Sequence, residues 1–448
     1  MRRAPVIVLL LTSTAAHGGG LVIVNGSPKA IGRAGTSTVG DDGAGALLAN
    51  PAAMARREGY RAQAGFAFVD DELAWQSTTP GAPITRDQAQ SSIAPYVGVF
   101  GSVGGWVIGV GAMTSAVSDR SLRPPRDVPD PEDFGVAFDY RYLGIAGGSR
   151  RDTVTAGVAR RLGDSVALGI SLAASRVQVT EVRRVWAGFS GRDMVGSPLQ
   201  DVELGFSGKD RFAPSAVAGL LIAPAHTSIE LGASVAWAAT AKIDASVIGS
   251  GTRPGPSVAS DSSGASLTLE QPVTIRAGGR YVGDRFVAEL GGEVSIAPRA
   301  AANHRWTIDS MRVVDPTGVE VTLASVPSRI SMRTHGAIRG AVDAELIPGF
   351  LWATAGYAYT VGAVAATKQS PIFGDLGGHT LGLGLEGTAG GFTLTLGWSR
   401  TWSMARSSTT QFALDNPFNA GDGLTPSGLY DGSVDQLGIL LDVELAPN

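Results

Sequence analysis

The chain has 448 residues, no cysteine and a formal net charge of -4. The absent cysteines exclude disulfides, zinc-thiolate centres and a Cys nucleophile, and the lack of a basic excess leaves nucleic-acid binding unsupported. Charged residues make up only 17% and glycine contributes 61 residues, yet mean hydropathy is just +0.13. That intermediate value results when lipid-facing apolar residues alternate with small and polar lumen-facing ones. The length suits two or three ordinary domains or one large barrel; the composition favours the barrel.

At the N-terminus, Arg2 and Arg3, the apolar run Val6–Leu11 and the small residues Thr14, Ala15 and Ala16 predict a secretory signal over residues 1–16. This run is too short to span a bilayer, which takes roughly 20 apolar residues. Residues 17–56 are rich in Gly and Ala and lack a large apolar face, and 57–448 reads as strands. No later run is long and apolar enough for a spanning helix, so a membrane protein of this kind must cross with strands, because only helices and closed barrels satisfy every backbone polar group in lipid.

Alternation with period two predicts the strands. In Tyr60–Val69, the residues Tyr60, Ala62, Ala64, Phe66 and Phe68 share one face and Arg61, Gln63, Gly65 and Ala67 the other. Ile93–Phe100 and Trp106–Met113 follow, then Thr153–Leu162 and Val166–Val179 across Gly163-Asp164-Ser165. Ala216–Ala223 pairs with Ile229–Ala238, Val273–Val282 with Phe286–Ile296, Ile330–Leu346 with Leu351–Tyr359, and Thr380–Gly387 with Phe392–Trp402; Leu437–Leu445 closes the set. These are 14 strands, an even number as single-chain bacterial barrels require. Short turns lie on one side. Long connections, near residues 70–92, 115–151, 183–213, 243–268, 298–328, 363–378 and 404–432, lie on the other. The predicted fold is therefore all-β, a 14-stranded antiparallel transmembrane β-barrel.

The same alternation sorts the charges. Thr274, Arg276, Gly278 and Arg280 oppose Ile275, Ala277 and Tyr281, while Glu289, Gly291, Glu293 and Ser295 oppose Leu290, Val294 and Ile296. An Arg or Lys facing lipid costs about 2–4 kcal/mol at mid-depth, so the charged faces point inward, along with Glu230, Arg333, His335, Arg339, Glu386 and Asp442. Two readings stay open: structural bracing, or partnership with a substrate headgroup such as a carboxylate, for which Arg276 and Arg280 are the first choices. Trp237, Tyr281, Tyr357, Tyr359, Trp398 and Trp402 fall near strand ends, where amphipathic rings favour the membrane interface. Val185, Trp186, Phe189, Met194, Leu199, Leu204 and Phe206 cluster in the connection 183–213, where a contiguous apolar patch would mark a binding surface or a loop folded on itself as a lid.

Within Gly26–Arg56, the run Gly32–Gly35, the pair Asp41 and Asp42, the small residues Gly43–Ala46 and the triplet Asn50-Pro51-Ala52 resemble the N-terminal plug of the FadL/TodX family of outer-membrane channels for hydrophobic molecules. Leu269–Ile296 and Ala355–Trp402, the latter with Pro371, Asp375 and His379, resemble its later strands. The resemblance implies residence in the outer membrane of a Gram-negative bacterium and a plug of residues 17–56 inside the barrel. It also implies passive, cofactor-free uptake of hydrophobic or amphipathic molecules such as long-chain fatty acids or aromatic hydrocarbons. Plug movement would involve Asn50, Pro51 and Ala52, placed near the third strand. Sideways exit would use that strand, whose Gly105, Gly109 and Gly111 lower the cost of a kink, although the same glycines also suit close packing against the plug. The expected partners are a hydrophobic small molecule and membrane lipid, with a monomeric channel.

Catalysis has little support. The five histidines, His17, His226, His304, His335 and His379, form no His-x-x-x-His metal spacing, and no Gly-x-Ser-x-Gly elbow or phosphate loop stands in a strand-to-helix context. No catalytic residue, metal ligand or cofactor is assigned. An outer-membrane hydrolase is the weaker alternative; a related barrel serving as a scaffold or partner in protein secretion is the stronger.

Overall fold

The computed structural model describes residues 27–57, 59–122, 139–189, 193–251, 255–259, 262–408, 415–418, 425 and 427–446. The predicted signal over 1–16 and the start of the 17–56 segment lie outside them. Among the described residues, fourteen antiparallel strands build the wall: β1 (Tyr60–Ser77), β2 (Ser92–Val103), β3 (Trp106–Ser121), β4 (Ala146–Leu162), β5 (Val166–Trp186), β6 (Asp201–Ile222) and β7 (Ile229–Ala238), then β8 (Val273–Val282), β9 (Phe286–Ile296), β10 (His335–Ile347), β11 (Leu351–Val361), β12 (Gly377–Ala389), β13 (Phe392–Ser403) and β14 (Gly428–Ala446). Each pairs with its sequence neighbour, and β1 pairs with β14 from Tyr60↔Ala446 to Ser77↔Gly428, which closes the barrel and leaves the wall without an edge.

All fourteen strands foreseen from alternation are present, because a wall with lipid outside and polar groups inside enforces the period two that the sequence carries. Ile275, Tyr281, Leu290 and Val294 face outward, while Glu289 and Ser295 are buried inside. Turn chemistry is local: Gly104 and Gly105 between β2 and β3, and Gly390 and Gly391 between β12 and β13, adopt the positive φ that tight hairpins demand.

The long connections depart from expectation. Much of what reads as loop is strand that continues the wall beyond the membrane as an outer tier. β5 and β6 stay paired from Val166↔Ile222 to Trp186↔Asp201, which shrinks the 183–213 connection to residues 187–200. The inner half of β6 pairs with β7, and its outer half pairs with a strand at Ala241–Gly251, so the ladder resumes after Ala239 and Thr240. Ser262–Leu269 pairs with that strand, and Arg305–Val314 pairs with both Ser262–Leu269 and Glu320–Pro327. The expected strand start at Ile330 moves to His335. Before it, the N–H groups of Met332 and Arg333 donate to Ala301 and Ala363 carbonyls outside the ladder.

Inward side chains of the outer tier fuse into one buried cluster around Trp75, Tyr140, Val179, Phe206, Trp306, Phe373 and Tyr430, with Phe206 stacked on Trp306 at 4.6 Å between ring centroids. A ring of charge locks it. Arg183 and Arg329 both grip Asp415, at 2.5 and 3.0 Å, and Glu181 accepts from the Trp306 indole and the Ser328 hydroxyl.

The register makes a direct prediction. With no native cysteine to interfere, Leu290→Cys should react with a lipid-confined thiol reagent and Arg276→Cys should not; reversed labelling would mean a one-residue slip of the wall.

Candidate functional site

The lumen at the turn end of the barrel is occupied by residues 27–57, which fold as α1 (Pro28–Gly32), α2 (Ala46–Ala49) and a 3-10 turn at Pro51–Arg56. Two of these start on the same chemistry. The Ser27 hydroxyl accepts from the Ala30 N–H at 3.2 Å with Pro28 next, and Asn50 Oδ1 accepts from the Ala52 N–H at 3.2 Å with Pro51 next. Each is a polar cap followed by a proline whose missing N–H would have lacked a partner anyway.

Lumen-facing glycines seat this segment. A Cβ at Gly219 would collide with Asn50 Oδ1, at Gly169 with the Pro51–Ala52 backbone, at Gly356 with the Arg33 backbone, and at Gly397 with the Pro28 carbonyl. Glycine weakens a strand interior and marks close approach of another backbone, so these strands trade strand propensity for fit. Asn50 is the joint: its amide donates to Thr38 O at 2.9 Å within the segment and to Leu220 O at 3.1 Å on the wall.

Charge completes the seat. Arg33, buried like its partners, donates to Glu289 at 2.6 Å and to Asp343 at 3.0 Å, while the other Glu289 oxygen accepts from the Val39 N–H at 2.8 Å. Lys29 pairs with Glu386 and Arg56 with Glu230.

Outward of this segment lies a cavity of about 260 Å³. Leu48, Val177, Val217, Leu269 and Met332 give it apolar walls, and Gly35, Ser37 and Thr38 of the inner segment form part of its floor. Five charged groups line it: Arg276, Arg339, Glu293, Arg151 and Arg150, the last paired with Asp152 at 2.9 Å. Glu293 accepts from Arg276 at 3.1 Å and from Arg339 at 2.7 Å, so one carboxylate serves two guanidinium groups. Arg151 has no carboxylate partner among the described residues; its Nη2 donates to the neutral Gln271 Oε1 at 2.5 Å. Arg150 is paired with Asp152, and Arg276 and Arg339 share Glu293, so Arg151 is the lining arginine that no carboxylate holds among the described residues.

The residues singled out from sequence distribute unevenly about this cavity. Arg276 lines it, but ion-paired. Arg280 lies deeper, paired with Glu230 at 3.2 Å. Asn50, Pro51 and Ala52 sit beneath it against Gly169 and Gly219 of β5 and β6; the residues that touch the third strand are Ala44, Leu47 and Met54. Gly109 and Gly111 accommodate those side chains, and Gly105 serves the hairpin turn. β3 is fully paired on both sides from Trp106 to Met113, and its irregularity falls farther along, at Ser115. Trp186, Leu204 and Phe206 are buried in the outer tier and Phe189 packs on Phe418 at 4.7 Å, whereas Met194 and Leu199 are exposed. These residues do not form one open patch.

Sequence reasoning missed Arg151. Nothing in the alternation distinguishes it from the adjacent Arg150, and its want of a carboxylate is a fact of three dimensions.

No family model matches the chain, and no curated protein matches it in sequence. Its three-dimensional structure is similar to the crystal structure of a Pseudomonas aeruginosa FadL homologue, at 13% identity, covering 96% of this chain and 100% of that one with a TM-score of 0.72. It is also similar to the P. putida toluene transporter TodX, at 13% identity, 94% and 99% coverage and a TM-score of 0.67. A monoaromatic hydrocarbon channel, CymD, matches at 12% identity, 95% and 98% coverage and a TM-score of 0.64. The chain has the barrel fold of the FadL and TodX channels over nearly its whole length.

Two predictions follow from the charges. Arg33→Ala leaves Glu289 and Asp343 buried without their cation, a change that costs about 3–5 kcal/mol at such sites; hydrogen exchange over residues 27–57 should rise sharply while the wall strands stay protected. The second concerns the outer tier. Burial opposes ionisation of Asp415, but Arg183 and Arg329 outweigh it and hold the carboxyl below its ordinary range. Burial and the neighbouring Arg183 push Arg329 down to about 10. A carboxyl with a depressed folded-state pKa stabilises the fold above its unfolded value and ceases to do so as pH falls through the folded one. Acidification below the ordinary carboxylate range should therefore raise hydrogen exchange over residues 181–186 and 327–331, which the Asp415 clamp holds, and Asp415→Asn should raise it at neutral pH.

Proposed function

We propose that this protein is a passive outer-membrane channel for small amphiphiles, and that its preferred cargo carries a carboxylate on an apolar body about the size of one substituted ring. The observation that carries this reading is Arg151: a guanidinium in an apolar-walled cavity with a neutral amide where a carboxylate would be expected. A cargo carboxylate supplies the missing acceptor with the two-pronged geometry that arginine favours. Size supports the same class. A cavity of roughly 150 Å³ holds benzene, so 260 Å³ suits a ring with a substituent and is tight for a long acyl chain. The named cargo of TodX is toluene and CymD is named for monoaromatic hydrocarbons, bodies of that size without the charge.

Passage needs no cofactor or energy input. Transfer of an apolar body from water into the cavity and then into the bilayer is favourable by about 0.8 kcal/mol per buried CH₂. The inner segment acts as the plug, and the part that moves is the cavity floor at Gly35–Thr38, since Arg33 and Asn50 on either side are fixed to the wall. Exit is sideways, into the membrane.

The test is uptake of benzoate, toluene and oleate by vesicles containing the protein. Benzoate should enter faster than through protein-free vesicles, and Arg151→Gln should weaken benzoate binding about tenfold, worth about 1.4 kcal/mol, while leaving toluene within twofold. Equal uptake with and without the protein for all three would sink the channel reading; unchanged benzoate binding in Arg151→Gln would sink the carboxylate.

A further inference from the structure

The lumen face that carries Arg151 has a second polar feature, which a carboxylate alone does not use. Across the β4–β5 pair, Arg151 stands opposite Val177 and Thr153 opposite Ser175, and all four line the cavity. Ser115, bulged out of register on β3, joins them from the other side of β4; a bulge re-aims a side chain in this way. Three hydroxyls form a chain here. Ser115 Oγ and Thr153 Oγ1 are 2.9 Å apart, as are Thr153 Oγ1 and Ser175 Oγ. At its Ser115 end the chain is tied to a group that can only accept, the Arg151 carbonyl, at 3.4 Å.

That tie gives the chain a direction. A hydroxyl has one proton to donate and two lone pairs with which to accept. With Ser115 donating to the carbonyl, Thr153 must donate to Ser115 and Ser175 to Thr153, which makes three hydrogen bonds; the reverse order forfeits the carbonyl and makes two. The proton of Ser175 is therefore committed, and its oxygen receives no donor among the described residues. Ser175 is 4% exposed. It presents a buried acceptor, not a donor, to whatever occupies the cavity.

We propose that Ser175 is a second recognition group of this site, and that the preferred cargo is an aromatic acid whose ring also carries an O–H or N–H donor, as a hydroxybenzoate does. Arg151 and Ser175 are diagonal neighbours on one face of an antiparallel pair, a spacing of about 7–8 Å, and Val177 at a third corner of the same patch offers apolar surface to the ring. Carboxylate and donor then anchor two ends of one ring, so the site fixes the orientation of the cargo as well as its charge. Ser115 and Thr153 are positioning residues, which act through Ser175 by holding its proton away from the ligand. The proposal rests on the carboxylate reading above and adds the second group that the cargo carries.

The test is equilibrium binding of benzoate, 3- and 4-hydroxybenzoate and the corresponding methoxybenzoates to the purified protein. In the parent, at least one hydroxybenzoate should bind about tenfold tighter than benzoate, because a site built around a ligand O–H leaves a buried polar group unpaired when that O–H is missing. Its methoxy counterpart, which can only accept, should show no such gain. In Ser175→Ala the ratio of hydroxybenzoate to benzoate affinity should fall to within twofold of unity, whatever the variant does to benzoate itself. Ser115→Ala removes the carbonyl tie, so that either direction of the remaining pair makes one bond, and the preference for hydroxyl over methoxy should shrink to within threefold. Hydroxybenzoates that bind the parent no tighter than benzoate would overturn the second group while leaving the carboxylate in place. An equal gain from methoxy, or a full hydroxyl preference retained in Ser175→Ala or Ser115→Ala, would overturn it too. Absence of binding by every acid would instead remove the carboxylate reading, and the role of Ser175 with it.

Discussion

Fourteen strands enclose more space than their own inward side chains fill, and the structure depends on how that space is closed. The turn end is closed by a segment of the same chain, seated against glycines that leave their lumen face bare. The loop end is closed by strands that outrun the membrane and pool their inward side chains into a second core. The cavity is what remains between the two. Its position is therefore not an independent feature of the wall; it follows from where the inner segment stops and the outer tier begins.

Because both closures are made of buried polar contacts as well as apolar ones, charge does most of the registering. Glu289 binds Arg33 with one oxygen and the Val39 N–H with the other, fixing the inner segment in rotation and in depth. Glu230 receives both Arg56 and Arg280, so a wall pair and a segment-to-wall pair share one carboxylate. These groups read as bracing. Arg151 stands apart by the same standard, since a guanidinium that braces nothing with a full charge is available to a ligand. Arg276 and Arg280 are held by wall carboxylates, Glu293 and Glu230, and ligand binding is proposed instead for Arg151, which none holds among the described residues.

The wall was legible because lipid on one side and water or the inner segment on the other impose a strict alternation, and each strand from Tyr60 to Leu445 carries it. The outer tier was not, for a related reason. Above the membrane both faces of the sheet can be polar or buried, so the outward positions of β5 turn polar at Arg176, Gln178 and Thr180 while Val177 and Val179 are buried inward, and the lipid-type alternation stops several residues before the strand does. The break before His335 was invisible because the N–H groups of Met332 and Arg333 are satisfied by distant carbonyls and not by a ladder. The site was half legible. Residue type drew attention to inward arginines, but which of them lacks an acid depends on neighbours from strands far apart in the chain.

The clamp on Arg33 has a consequence for how the molecule is made. Its two carboxylates lie 256 and 310 residues downstream, on β9 and β10, and the glycine seats at Gly356 and Gly397 come later still. Contacts of such long sequence separation form late, since the chain between them must first lose its freedom. The inner segment is synthesised before any strand yet finds no complete berth until most of the wall has folded. Seating of the segment is thus coupled to completion of the wall: the carboxylates and glycine seats that hold it exist only once β9 to β13 are in place, so a fault in those late strands would release the first-made part of the chain.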